Sequence, residues 1–311
     1  MPSINRTTII SGPARISFGG QLFWSKGDVA VKIINDRFGI DTSHFGKVDE
    51  RFSDRKIEVS FEPSGRFNAA LALVLWPYAG TAVGTSVFTG ADVPLTINGR
   101  DGRQIVVHAA ALTQMPSLRL GVTQTMVGNV TFTGLVKNST DPTAPAAYYT
   151  ESSVAYPGDT GFAVADILTR SYAAAWGAAA PWSSFQAESG WTVDFNLSLS
   201  SQKVDGIGTV DMRLAGLEVT AKCSPVGPAA TDILAKVAGT AGLGASIATT
   251  DPLNITGTGV YVRLYNAAIA ESGLAFGAEV KRISDTTWLA TRTITAGAAT
   301  PLFHVGIAAP V

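Results

Sequence analysis

The chain has 311 residues, 46% of them hydrophobic and only 15% charged, with a net charge of −1 at pH 7. That length accommodates two domains of ordinary size, and a charged fraction so far below the usual quarter suits burial against copies of itself better than life as a free monomer. The near-neutral balance excludes a global basic field for nucleic acid or an anionic membrane, and the single cysteine, Cys223, excludes an intrachain disulfide and fits assembly in a reducing cytoplasm.

In chain order, Met1 to Ile10 lacks the basic start, apolar core and cleavage site of a signal peptide. The Asn-x-Ser/Thr triplets at Asn5, Asn129, Asn138, Asn196 and Asn254 are therefore ascribed to the abundance of Thr and Ser. No uncharged apolar run reaches the roughly eighteen residues that a membrane-spanning helix needs, so no membrane partner is expected.

Val29, Val31 and Ile33 alternate with small or polar residues, which predicts a strand. Between Lys26 and Arg66 stand sixteen charged residues, eight of each sign. Within that run Asn35 to Arg55 reads as a long loop, too long for a tight hairpin, and either a solvated surface segment or an arm that meets a neighbouring subunit. Its candidate contact residues are Asp36, Arg37, Asp41, Asp49, Arg51, Asp54 and Arg55. Ile57 to Phe61 predicts a second strand, and Phe67 to Leu75 a helix that Pro77 stops. Ile97 to Val107 reads as a hairpin turning at Asp101-Gly102.

Asn138 to Gly161, rich in Pro, Ser, Thr and Gly, reads as a linker, and Phe162 to Trp176 as a short helix. Trp191, Val193, Phe195, Leu197 and Leu199 again alternate as a strand should. Ser198 to Ala215 takes the place of the long loop, Leu217 to Ala221 that of the second strand, and Pro228 to Gly239 that of the helix. Ile255 to Leu264 reads as a tighter hairpin through Gly257-Thr258-Gly259. The expected division is a first domain over residues 1–137, a linker over 138–161 and a second domain over 162–311.

The two halves match in order. Gly46-Lys47-Val48-Asp49-Glu50-Arg51-Phe52 answers to Gly208-Thr209-Val210-Asp211-Met212-Arg213-Leu214. The offset set by Gly46 and Gly208 shortens only slightly by the last matches, such as Leu118 with Leu274, as a few loop deletions would cause. The doubled Val-Asp-x-Arg string adds Asp211 and Arg213 to the candidate contacts. Residues two apart on an extended segment share a face, so each Asp and Arg either pair across an interface or form a local ion pair.

Chemistry-bearing motifs are sparse. His44, His108 and His304 have no second ligand at metal spacing, and His108, read within an apolar strand, suits a hydrogen-bonded structural role. Gly206-Ile207-Gly208 and Gly257-Thr258-Gly259 lack a following helix and Lys-Ser/Thr, and so read as turns. No catalytic residue, cofactor or metal site is assigned, and no enzyme activity is expected.

The order strand, long charged loop, strand, single helix, then strands, present in both halves, resembles the tail tube proteins of long-tailed bacteriophages. The likeness is most visible in Gly208 to Pro252, GTVDMRLAGLEVTAKCSPVGPAATDILAKVAGTAGLGASIATTDP, and covers about two thirds of the chain as a pattern. Its doubling is similar to the two-domain type that forms trimeric, pseudo-hexameric rings. The resemblance implies a mainly β fold of two tandem antiparallel β-sandwich or barrel tube domains, each with one flanking α-helix. It further implies homotrimeric rings stacked into a tube, other tail proteins at the tube ends, DNA passing through the lumen without specific binding, and a place in the virion tail after assembly in the host bacterial cytoplasm. Other readings of the sequence are a capsid decoration or tail ring protein, and a secreted carbohydrate-binding β-sandwich stacking sugars on Trp24, Trp76, Trp176, Trp182, Trp191 or Trp288.

Overall fold

The structure is a computed structural model that describes residues 6–64, 69–78, 81–88, 92–120, 127–136, 148–159, 173–177, 183–226, 261–266, 272–276, 280–284, 287–292 and 303–306. Its elements are β1 (Arg6–Ile10), β2 (Arg15–Phe18), β3 (Gln21–Ser25), β4 (Val29–Thr42), β5 (Gly46–Phe61), β6 (Pro63–Ser64), α1 (Ala69–Leu75), β7 (Leu95–Asn98), β8 (Arg103–Val107), β9 (Ala110–Gln114), β10 (Leu118–Leu120), β11 (Val130–Leu135) and β12 (Tyr149–Ser153). Then follow β13 (Ala173–Gly177), β14 (Ser183–Val204), β15 (Gly208–Val226), β16 (Tyr261–Asn266), β17 (Ser272–Phe276), β18 (Val280–Ser284), β19 (Thr287–Arg292) and β20 (Phe303–Gly306). The fold is mainly β, with antiparallel pairing throughout the described strands.

Two sheets of the N-terminal half, ordered β1-β4-β5-β11-β9 and β12-β8-β7-β2-β3-β6, pack face to face as a sandwich. Alternation explains their facing sides: Val29, Val31 and Ile33 on β4 and Ile57, Val59 and Phe61 on β5 point inward and are buried. They meet Ile16, Phe23, Leu95, Ile97 and Ile105 from the opposite sheet. Burial of each such side chain contributes about 1.5–3 kcal/mol. Aromatic rings tie the layers together, with Phe132 edge-on to Phe18 at 4.8 Å and Phe61 stacked on Phe23 at 6.1 Å.

The helix α1 sends Leu71 and Leu75 into this core, and Trp76 follows at its end. The Trp76 indole donates to the Pro116 carbonyl at 3.0 Å and its ring lies 5.8 Å from Phe195 on β14, so it joins the two halves. The β14 and β15 strands anchor a third sheet, ordered β18-β19-β15-β14-β13-β16-β17-β20, with β10 of the N-terminal half paired onto β14.

Several sequence expectations need correction. Asn35 to Arg55 and Ser198 to Ala215 are not loops: both are the far ends of long hairpins, β4–β5 and β14–β15. None of residues 35–56 is buried, so no apolar period marked them as strand. The Phe162 to Trp176 helix fails at its end, where Ala173 to Trp176 lie in β13; residues 162–172 are outside the described residues. The stretch read as linker contributes β12, an edge strand paired with β8. His108 follows β8 with its side chain exposed, so it is not a core histidine. The second-half helix over Pro228 to Gly239 and the Gly257-Thr258-Gly259 turn lie outside the described residues.

Tyr78 is buried and donates its hydroxyl proton to the Leu112 carbonyl at 2.6 Å, and burial pushes its pKa well above the ordinary tyrosine value. A raised acid pKa keeps its full contribution below the unfolded value near 10 and loses it as pH rises toward the folded value. Thermal melting between pH 9 and 12 should therefore show alkaline destabilisation that Tyr78→Phe reduces. Tyr148, also raised by burial, should leave a residual slope. An unchanged slope in the variant would contradict this assignment.

Candidate assembly interface

The two long hairpins are built to one plan. Asn35 faces Arg55, Asp36 faces Asp54, and Arg37 faces Phe52 across β4–β5; in β14–β15 Leu197 faces Leu217, Ser198 faces Gly216, and Leu199 faces Leu214. Every one of these residues stands as far from its counterpart as Gly46 does from Gly208. Register shifts fall between Asp36 and Arg37 and between Ile40 and Asp41 in the first hairpin, and between Ser198 and Leu199 and between Gln202 and Lys203 in the second, again at that same offset. A bulge bends a strand and increases its twist at a set point, so shared bulges give the hairpins the same bends. Their turns match too: Thr42 faces Gly46 and Val204 faces Gly208, and both glycines take the left-handed backbone, at φ 66° and 98°, that other residues resist.

A third strand continues the equivalence. Phe132 of β11 faces Val59, Thr133 faces Glu58; on β19 Trp288 faces Ala221 and Leu289 faces Thr220. The step from Phe132 to Trp288 is slightly shorter than the step from Val59 to Ala221, the same drift that the sequence match shows.

All nine charged candidates lie on these hairpins. The doubled motif forms the same local pair twice, Arg51 Nε to Asp49 Oδ2 at 3.5 Å and Arg213 Nε to Asp211 Oδ2 at 3.1 Å. Each pair also reaches the other half of the chain: Arg51 lies 4.0 Å from Asp205, and the Ser86 hydroxyl donates to Asp211. Such exposed pairs contribute about 0–1 kcal/mol each. Asp41 is exposed opposite Lys47, and half-buried Asp36 sits directly opposite Asp54. Arg37 and Arg55 flank the Phe52 ring at 4.6 and 4.4 Å, and Arg37 also meets Glu50 at 3.5 Å. Burial, with the Arg37 cation adding to it, holds the Arg55 guanidinium below its usual range. A hydrogen bond from Lys47 lowers the Glu50 carboxylate.

The tip of the second hairpin lies on the flank of the first. Phe52 bridges to Gly206, the Asp54 carboxylate accepts from Thr209 N at 3.2 Å and Thr209 Oγ1 at 2.8 Å, and Arg55 Nε donates to the Ile207 carbonyl at 3.5 Å. A Cβ on Gly208 would stand 2.7 Å from the Arg55 nitrogen, so only glycine fits there. The corresponding outer flank of β15 is covered by the segment 84–87, through Gly84 N to Leu214 O at 2.7 Å and Leu214 N to Thr85 O at 2.9 Å. Sequence reasoning missed these contacts because Asp54 and Thr209 are 155 positions apart; the one available signal was the glycine pair at the second tip.

A polar cleft of about 400 Å³ between β9, β10 and β14 is lined by residues that include Gln114, Arg119, Asn129, Asp194 and Asn196. Among the described residues no three His, Cys, Asp or Glu side chains cluster as a metal site, and no helix is long and apolar enough to cross a membrane. Trp24 and Trp76 are buried, which removes them as sugar-stacking platforms. No protein-family model matches the chain, and no curated protein matches it.

Asp54→Ala removes the acceptor that holds the second tip. A hydrogen bond to a charged group contributes about 1.5–3 kcal/mol, less where solvent reaches it as here. Amide exchange over residues 205–209 should therefore quicken about tenfold while the β4–β5 core amides stay protected. Unchanged exchange at 205–209 would show that the tip is held by other contacts.

Proposed function

We propose that this protein is a structural subunit that polymerises with copies of itself into the tail tube of a long-tailed bacteriophage. The observation that carries the reading is the doubled hairpin, with the same register, the same two bulges and the same glycine turn in both halves. Two equivalent units in one chain allow three chains to make a ring of six units, and stacking such rings makes a tube. In this reading the halves are tandem tube domains, each with a flanking helix, and other tail proteins cap the tube.

Composition supports the same reading. The chain carries little charge and a net of only −1, and a wall without basic stripes lets DNA pass without holding it. Half of the exposed large apolar side chains among the described residues, Phe38, Phe45, Val48 and Val204, sit on the two hairpins. Apolar groups concentrated on projecting arms belong to a surface that another molecule covers. The virion tail is the proposed location, with assembly in the bacterial cytoplasm.

Negative-stain microscopy of the purified protein tests this. Hollow cylinders of uniform width, with threefold rings that carry pseudo-sixfold features, are expected. Discrete monomers at high concentration would sink the reading.

A further inference from the structure

The two hairpin tips are equivalent in sequence position and opposite in environment. In the second hairpin Ile207, Gly208 and Thr209 are all buried, Ile207 to 8% exposure and packed with the main core. Their counterparts in the first, Phe45, Gly46 and Lys47, are all exposed, Phe45 to 84%. Phe45 therefore occupies the position of a buried anchor while presenting its ring to solvent.

We propose that the Phe45 tip is buried by a second copy of this chain, where it lies against the flank of that copy's second hairpin near Ala215 and Gly216. These are the counterparts of Ser53 and Asp54, the flank that receives the second tip within one chain. Chemistry matches on both sides. The polar tip, with Thr209, meets the polar flank, with Asp54; the aromatic tip meets the flank where the uncharged Ala215 and Gly216 replace Ser53 and Asp54. Both Ala215 and Gly216 are half-exposed, beyond the stretch of β15 that the segment 84–87 covers.

The contact has a direction. A tip of one unit on the flank of another is head-to-tail when the contact is not returned between the same two chains, and repeating it then builds a ring or a filament; returned between two chains, it closes a twofold dimer. The inference rests on the self-assembly reading above and adds to it the group that joins one chain to the next. An exposed aromatic that becomes buried at the centre of a contact is a strong anchor, and its replacement by a charge removes most of that contribution.

Sedimentation across a concentration series, with circular dichroism and melting as a fold check, tests the inference on wild type, Phe45→Asp and Phe45→Leu. Because Phe45 is exposed in the single chain, all three should fold and melt alike. Wild type and Phe45→Leu should assemble, and Phe45→Asp should need about tenfold more protein or more to do so. Assembly of Phe45→Asp at the wild-type concentration would overturn the role of this tip while leaving the tube reading intact. Wild type that forms only closed dimers would overturn the head-to-tail geometry, and wild type that stays monomeric would overturn both.

Discussion

The architecture depends on a backbone constraint, the antiparallel register of the two long hairpins. In β4–β5 and β14–β15 the hydrogen-bond ladder sets which residue faces which, and two bulges at equivalent places set where the arms bend, with a further shift between Ala187 and Trp191 in β14–β15 alone. A slip of one residue would turn Val31, Ile33, Ile57 and Val59 out of the sandwich core and move every arm residue to the wrong face. The inner ends of the hairpins are therefore fixed by burial, and the outer ends inherit that register although none of residues 35–56 is buried. The arm takes its register from the core because it is the same pair of strands.

Shared backbone and divergent side chains give the halves different tasks. The second hairpin turns its tip onto the first, where Asp54 and Arg55 hold it through hydrogen bonds, and its flank accepts the segment 84–87. The first hairpin has the charge, the Arg37–Phe52–Arg55 stack and an exposed tip. Strand pairing between β10 and β14 and the Trp76 contact with Phe195 interlock the halves further. In the proposed ring a neighbour would thus see one satisfied tip and one open tip per chain, a repeat of three within a backbone repeat of six.

What the sequence showed follows from what burial makes visible. The strand at Val29 to Ile33, the strand at Ile57 to Phe61 and the hairpin at Asp101-Gly102 were legible because one face is buried or the turn demands glycine. The first arm was not, because none of its residues is buried and it carries no apolar period; in the second, Met212 and Leu214 are buried, and each bulge shifts the phase of the alternation. The internal match was legible, and the slight shortening of its offset toward the later matches reappears in the pairing of β11 and β19. The nine charged candidates, expected on long loops, stand on the strands of the two hairpins, where Asp49 with Arg51 and Asp211 with Arg213 form local pairs. The residues that join the halves, Thr209 on Asp54 and Ser86 on Asp211, rest on contacts more than a hundred positions apart that no local motif announces.

The central claim is that one chain supplies two equivalent units to a ring. Native mass spectrometry of the smallest closed assembly counts chains directly. The account predicts three copies of the 32.3 kDa chain. A smallest closed assembly of six chains would mean that each chain fills one position rather than two, and a stable dimer would mean that the doubled hairpin serves no ring; either contradicts the account.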